Sequence, residues 1–300
     1  MRSWWDRYEG PTWILAAVIY SAWIALTLFH AHVPWWLIVP LGAVVTAWHA
    51  SLQHETIHAL VHVPRRARWW LAWPPLGLGF PYAIYYREHR RHHRNATLTD
   101  PTHDPESFYH AAERWRTYNP ALRAIYVANQ TVLGRITLGV PLHLAARAVS
   151  EFRRLRAGDR SNLRDWTWHA VGVAVLFVWI CGVAKMPWWE YVGWIAVPGL
   201  CLGMLRTFIE HRAADEPGHR TAIVENDVPF GVLFLYNNLH AVHHDAPSLP
   251  WYKIRGEWKA RRADILARNG SFHFPGYWGI ARRWFVRPVF VPLHDPAPLP

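Results

Sequence analysis

The stretch HETIH at residues 54–58 sets two imidazoles and a carboxylate within one helical turn. On a helix His54 and His58 share a face, which is the pattern of zinc proteases: two histidines hold the metal and the glutamate between them, here Glu55, acts as general base. Two further clusters follow, HRRHH at 89–93 and HAVHH at 240–244, both of the form His-x-x-His-His. Positions i, i+3 and i+4 lie on one helical face, so each pentad presents three imidazoles to a common point. His54, His58, His89, His92, His93, His240, His243 and His244 together form a candidate ligand set. A catalytic zinc needs three protein ligands and a structural zinc four, so this set supplies two metals. That excludes the simplest protease site. A binuclear zinc site stays open, because imidazole suits iron, copper, nickel and zinc alike.

These residues must be positioned by a chain of 300 residues that is 52% hydrophobic, holds 21 Trp and carries a formal charge of +11. The apolar residues concentrate in long uncharged runs and the arginines crowd the stretches between them, which is the distribution of a membrane protein. Segments at roughly 11–31, 34–53, 166–185 and 188–209 are long enough to cross a bilayer. They read as two hairpins, joined at His30-Ala31-His32 and at Lys185-Met186-Pro187. The alternative is a soluble all-α protein with these segments in its core. The arginine-rich loops place both termini, and everything between the hairpins, on the cytoplasmic side, with the Trp pairs 35/36 and 188/189 anchoring the opposite interface.

The expected fold is therefore an all-α integral membrane protein forming one domain over 1–300. Four transmembrane helices support a cytoplasmic helical cap from 54–165 and 210–285 that holds a histidine-rich di-metal site, and 286–300 form a disordered or extended tail. Residues 69–86 are uncharged but contain Pro74, Pro75 and Pro81, so they read as a re-entrant or interfacial excursion and not as a fifth span. In 119–157, Arg123, Arg135 and Arg147 interrupt apolar stretches too short to span, the pattern of interfacial helices with arginines reaching outward. The start, MRSWWDRYEGPTW, lacks a cleavage-site pattern, so the first apolar run is expected to be a permanent span. Cys181 and Cys201 lie in apolar runs as small hydrophobes and make no disulfide framework.

One HxxxH box and two HxxHH boxes set against paired spans resemble the membrane fatty acid desaturase superfamily, which includes acyl-lipid and acyl-CoA desaturases, hydroxylases and carotenoid ketolases. The resemblance runs from His54 to about Tyr252, and NNLHAVHHDAPSLPWYKI at 237–254 is particularly similar to the third box and the Pro and Trp-Tyr that follow it. It implies a ninth ligand, His211 in Glu210-His211, and places Asn237 and Asn238 near where some relatives have a metal- or water-contacting amide. It also implies two non-haem iron ions, with O2 as co-substrate. Hydrogen is removed from an unactivated CH2; loss of a second hydrogen gives a double bond, and return of a hydroxyl gives an alcohol. Desaturation of a fatty acyl chain is the first reading, hydroxylation or ketolation of a lipid or carotenoid the second, and a membrane zinc protease the third.

In the desaturase reading Glu55 sits behind a metal-bound imidazole instead of acting as base, or lies on the surface. Asp100, Asp104 and Glu106, in TDPTHDPES at 99–107, either orient ligating imidazoles or cap a Pro-Asp turn. His62, two turns after His54 on the same face, is a further possible ligand, whereas His30, His32, His49, His143, His169, His219, His273 and His294 read as ordinary polar residues. The implied partners are a lipid or acyl substrate, the membrane, and a separate electron donor, a ferredoxin or small haem cytochrome, because no fused electron-transfer domain is evident. The expected location is a bacterial inner membrane with the active site cytoplasmic. Arginines at 65, 66, 68, 90, 91, 94, 153, 154 and 156 flank spans and form no recognition module, so anionic lipid headgroups and not nucleic acid are their expected contacts.

Overall fold

Pro11 enters the first turn of the helix Gly10–Leu28, where a missing N–H costs nothing, and the apolar run behind it continues without a charge. A short 3-10 turn at His30–His32 reverses the chain into Trp35–His58, which packs against the first helix. The computed structural model describes residues 3–226 and 229–294, and the fold is mainly helical. Two compact units interleave along the chain: Met1–Tyr86 with Val140–Gly203, and Arg87–Gly139 with Met204–Pro300.

Among the described residues four helices are long and apolar enough to cross a membrane: Gly10–Leu28, Trp35–His58, Val132–Arg156 and Leu163–Val183. Their apolar side chains point outward, as at Val175 and Val178, 59% and 69% exposed, which suits a lipid surround. The first, second and fourth of these fall on segments that the sequence marks as spans. The third does not. Where separate interfacial helices were expected within 119–157, residues 132–156 make one continuous helix with Pro141 inside it. The arginines do not end it, because an arginine can hold its charge against an aromatic face: the Arg135 guanidinium lies 5.2 Å from the Phe108 ring and 5.7 Å from Phe208. The remaining expected span, 188–209, is helical over 188–206 in three pieces, with a π-helical segment Tyr191–Ala196 in the middle.

In the first unit two glycines allow the helix bearing HETIH to touch this π-helical run and the helix that follows it. A Cβ on Gly42 would fall 2.8 Å from Ile195 Cγ1, and one on Gly199 would fall 2.2 Å from Thr46 Cβ. Small residues at such crossings are how helices approach closely in lipid. Tyr191 is fully buried there, donating to the Leu76 carbonyl at 2.7 Å while Trp23 Nε1 donates to its hydroxyl at 3.0 Å. His30 Nδ1 meets Glu190 Oε2 at 3.1 Å, so the two short connections between helices lie at the same end of the unit. Residues 69–86 do not cross as one helix. The chain leaves the helix Arg65–Ala72, turns at Pro74 and Pro75, passes through a left-handed Leu78 (φ 62°) and enters the helix Tyr82–His92. Carbonyls released by this break accept side-chain hydrogen bonds, Leu76 O from the Tyr191 hydroxyl and Leu78 O from His169 Nε2.

The second unit contains a feature the sequence did not suggest, a two-stranded parallel sheet in which Ile223–Asn226 pairs with His273–Gly276, Ile223 opposite His273. Four-residue strands are too short to show a period. A cluster of Ile223, Leu239, Ala241, Val242, Ile254, Trp258 and Ile265 packs the helix Trp251–Arg268 beneath the sheet and the third histidine box. Residues 286–294 of the expected tail form no helix and are fastened to this unit: Val289 N–H donates to Gln130 O, His110 N–H to Pro292 O and His294 N–H to His110 O. Residues 295–300 lie outside the described residues.

Candidate metal centre

The helix Tyr82–His92 carries the second box in its last turn, and His93 N–H donating to His89 O at 3.2 Å keeps His89, His92 and His93 on one face. The third box lies on His240–Asp245, a helix of six residues that would not persist alone in water. Its surroundings hold it. Leu235 and Tyr236 both take left-handed conformations (φ 51° and 56°), which turns the chain sharply before the box. Asn238 then exchanges hydrogen bonds with the strand, Nδ2 donating to Val224 O at 2.7 Å and Val224 N–H donating back to Asn238 O at 2.9 Å. Ala241 N–H donates to Ala222 O at 3.0 Å.

His92, His211, His240 and His244 are all buried, with one ligand nitrogen of each within 4.8 Å of the others. His211 Nε2 lies 3.0 Å from His92 Nε2 and 3.0 Å from His240 Nε2. The opposite ring nitrogens are already engaged: His92 Nδ1 donates to Asp104 Oδ1 at 2.9 Å and His211 Nδ1 to Arg220 O at 3.3 Å. A proton on Nδ1 leaves a lone pair on Nε2. Lone pairs facing each other at this distance repel unless a cation lies among them. Adjacent nitrogens about 2.1 Å from one metal stand roughly 3.0–3.4 Å apart, so the donor set fits a metal ion.

A second group in the same unit repeats the arrangement. His93 Nε2 is 3.1 Å from both His89 Nε2 and His243 Nε2, and His89 Nδ1 meets Glu106 Oε1 at 2.9 Å. In the first unit His54 and His58 leave the last turn of Trp35–His58 with ring centroids 5.4 Å apart, and Glu55 between them is buried.

Electrostatics favours neutral, metal-ready imidazoles at most of these positions. Burial, helped by His92, lowers the His211 pKa to about 3. Burial and neighbouring imidazoles hold His240 and His244 well below the ordinary value. Burial also works against a charged His92, but Glu106, Asp104 and Glu210 outweigh it and raise its pKa. Burial would raise Asp104 as well, yet the His92 contact and the N–H groups of Glu106 and Thr99 hold it low. Glu210 is raised by burial, against the pull of Arg206 and His92.

A family model for fatty acid desaturases matches residues 30–277, which include all three boxes and His211. The chain belongs to the fatty acid desaturase family. No individual curated protein matches it. Membership in this family, with four membrane-length apolar helices and histidine groups able to hold metal, makes it a membrane oxidoreductase of the desaturase-like superfamily.

In this desaturase-family chain the acidic tract after the second box divides its duties. Asp104 and Glu106 contact His92 and His89, whereas Asp100 accepts from the N–H groups of Thr102 and His103 and shapes the turn. The tract thus holds both histidine-contacting and turn-forming carboxylates. Glu210 was not foreseen: it accepts from Asn237 Nδ2 at 2.8 Å, faces Arg206 Nε at 3.4 Å and stands 3.7 Å from His240 Nδ1. Its only sequence signal is its place beside His211. Arg220 was also missed; its guanidinium donates to the carbonyls of Leu98 at 2.8 Å and Ala214 at 2.7 Å while its own carbonyl receives His211. Nothing in the sequence marks it. His62 falls away from the box face because the helix stops at His58, with Leu60 left-handed (φ 55°), and His62 is exposed. Asn238 is committed to the strand. Asn237 presents a buried Oδ1 that meets no donor among the described residues.

Proposed function

We propose that the protein is an O2-dependent fatty acyl desaturase in which His54, His58, His89, His92, His93, His211, His240, His243 and His244 hold two iron ions. The observation that carries this reading is the set of Nε2 to Nε2 approaches of 3.0–3.1 Å, backed by carboxylates on Nδ1, in a chain of the desaturase family. Bound iron would supply activation of O2 and hydrogen removal from an unactivated CH2. The overall balance is one CH2–CH2 unit, O2, two electrons and two protons giving one CH=CH unit and two waters. The chain contributes orientation: Asp104 and Glu106 fix the tautomers of His92 and His89, and the Arg220 carbonyl fixes that of His211. An all-imidazole set holds the metals without the bridging carboxylates of soluble di-iron bundles.

The arginine distribution assigns the termini and the boxes to the cytoplasmic side, and the membrane is taken as a bacterial inner membrane. A basic face there suits an acidic ferredoxin or small haem cytochrome as electron donor. Supplied with such a donor, O2 and an acyl lipid, the purified protein should release a chain two mass units lighter than its substrate. A product heavier by one oxygen would move the assignment to hydroxylation.

Glu55 is assigned to positioning of the first box and not to base catalysis. Glu55→Gln should then lower turnover by roughly 10–100-fold with iron still bound. A protease with Glu55 as its base would instead lose nearly all activity, and zinc without reductant would restore the wild type.

A further inference from the structure

We propose that a pocket beyond the end of the first histidine box binds a phosphate oxyanion at the level of the lipid headgroups. The pocket lies in the first unit, is lined by Thr56, Arg65, Arg68, Trp69, Tyr82 and Tyr86, and is a small notch open to solvent on one side. Its floor is settled. Tyr82 is buried and shares a 2.8 Å hydrogen bond with Thr56 Oγ1, which itself donates to Gln53 O, and the Trp69 ring lies 5.1 Å from Tyr82.

Its rim carries two positive charges that no described carboxylate neutralises. Neither Arg65 nor Arg68 has a carboxylate partner among the described residues. Arg65 lies over the Tyr86 ring at 5.1 Å, which keeps its planar group beside the pocket. Arg68 Nη1 donates to the Ala59 carbonyl at 3.2 Å, and that contact fixes the guanidinium. The Arg68 Nε is buried and meets no acceptor among the described residues. A guanidinium held by one nitrogen, with Nε and the other Nη left over, presents the paired N–H fork that matches two oxygens of a phosphate. Wholly buried guanidinium N–H groups are rarely left without an acceptor.

The depth of the site argues for a lipid phosphate. Arg65 follows the membrane-length helix by seven residues, and the same short helix exposes Trp70 at 59%, an aromatic placement typical of the membrane–water boundary. The inference does not depend on the reaction, because its readout is binding.

Full-length protein in neutral, phosphate-free detergent would be titrated with short-chain phosphatidylglycerol, with diacylglycerol of equal chain length, and with inorganic phosphate as competitor. Phosphatidylglycerol should bind in preference to diacylglycerol, and Arg68→Gln should weaken it about tenfold or more. Arg65→Gln, which removes no hydrogen bond of the fold, should weaken it in the same direction, and Arg66→Gln should leave it unchanged. Displacement by inorganic phosphate would assign the site to the phosphate alone; weakening by Arg68→Gln without such displacement would assign it to a lipid head. Equal binding of diacylglycerol, or an Arg66→Gln loss as large as that of Arg68→Gln, would overturn the proposal. Loss of turnover with these affinities intact would count against the proposed reaction and not against this site.

Discussion

His211→Ala should bring bound iron from about two ions per chain to about one and reduce O2-dependent turnover by more than the roughly 10–100-fold that losing an outer partner costs. His211 carries this effect because its Nε2 stands 3.0 Å from those of both His92 and His240, so its removal opens the middle of the group of four. The remaining nitrogens keep their places through Asp104 and the strand, which leaves a defective site in a folded protein. Iron analysis of protein purified from membranes, alongside turnover, reads both effects. His30, His143 and His273 serve as controls: His30 pairs with Glu190, His273 with Glu225, and His143 packs on Phe80. Alanine at these three positions should leave iron content unchanged. Two irons and normal turnover in the His211 variant would remove it from the ligand set.

Asp104→Ala is expected to have the next largest effect. The carboxylate accepts from His92 Nδ1 and Glu106 N–H through Oδ1, and from Thr99 N–H through Oδ2, all at 2.8–2.9 Å. Truncation orphans three donors in a buried setting, at about 1–3 kcal/mol for each that water does not reach. It also frees the His92 ring to turn or to carry its proton on Nε2, where the lone pair is needed. Iron affinity should fall roughly 10–100-fold, with a lower Tm. Asp104→Asn keeps one oxygen and should recover part of the iron affinity, which a purely structural role for the residue would not require. Asp100→Ala, at a turn that touches no ligand, should leave iron binding intact. Equal iron affinity in Asp104→Ala and wild type would refute the positioning role.

The legible parts of this protein were those with a period or a run. The first box shows i, i+4 spacing and the other two i, i+3, i+4, and the structure sets them on helices; three of the four expected spans became membrane-length helices. The helix 132–156 was misjudged because its arginines break an apolar run without breaking the backbone pattern that makes a helix. The carboxylates behind the imidazoles were harder still. Asp100, Asp104 and Glu106 are chemically alike within a few residues, and a turn that folds only in three dimensions decides which of them meets a histidine. Arg220 acts through carbonyls far away in sequence, a contact for which residue type carries no signal.

The parallel pairing of Ile223–Asn226 with His273–Gly276 has a consequence for biosynthesis. The six-residue helix bearing His240, His243 and His244 is fastened to the first strand, and that strand gains its partner only when residue 276 has been made. A growing chain emerges from the ribosome N-terminus first, so the earlier boxes wait in an unfinished protein. If the boxes hold metal as proposed, the third of them is completed only late in synthesis, and a nascent chain stalled before 273 would leave its histidines open to whatever metal the cell supplies.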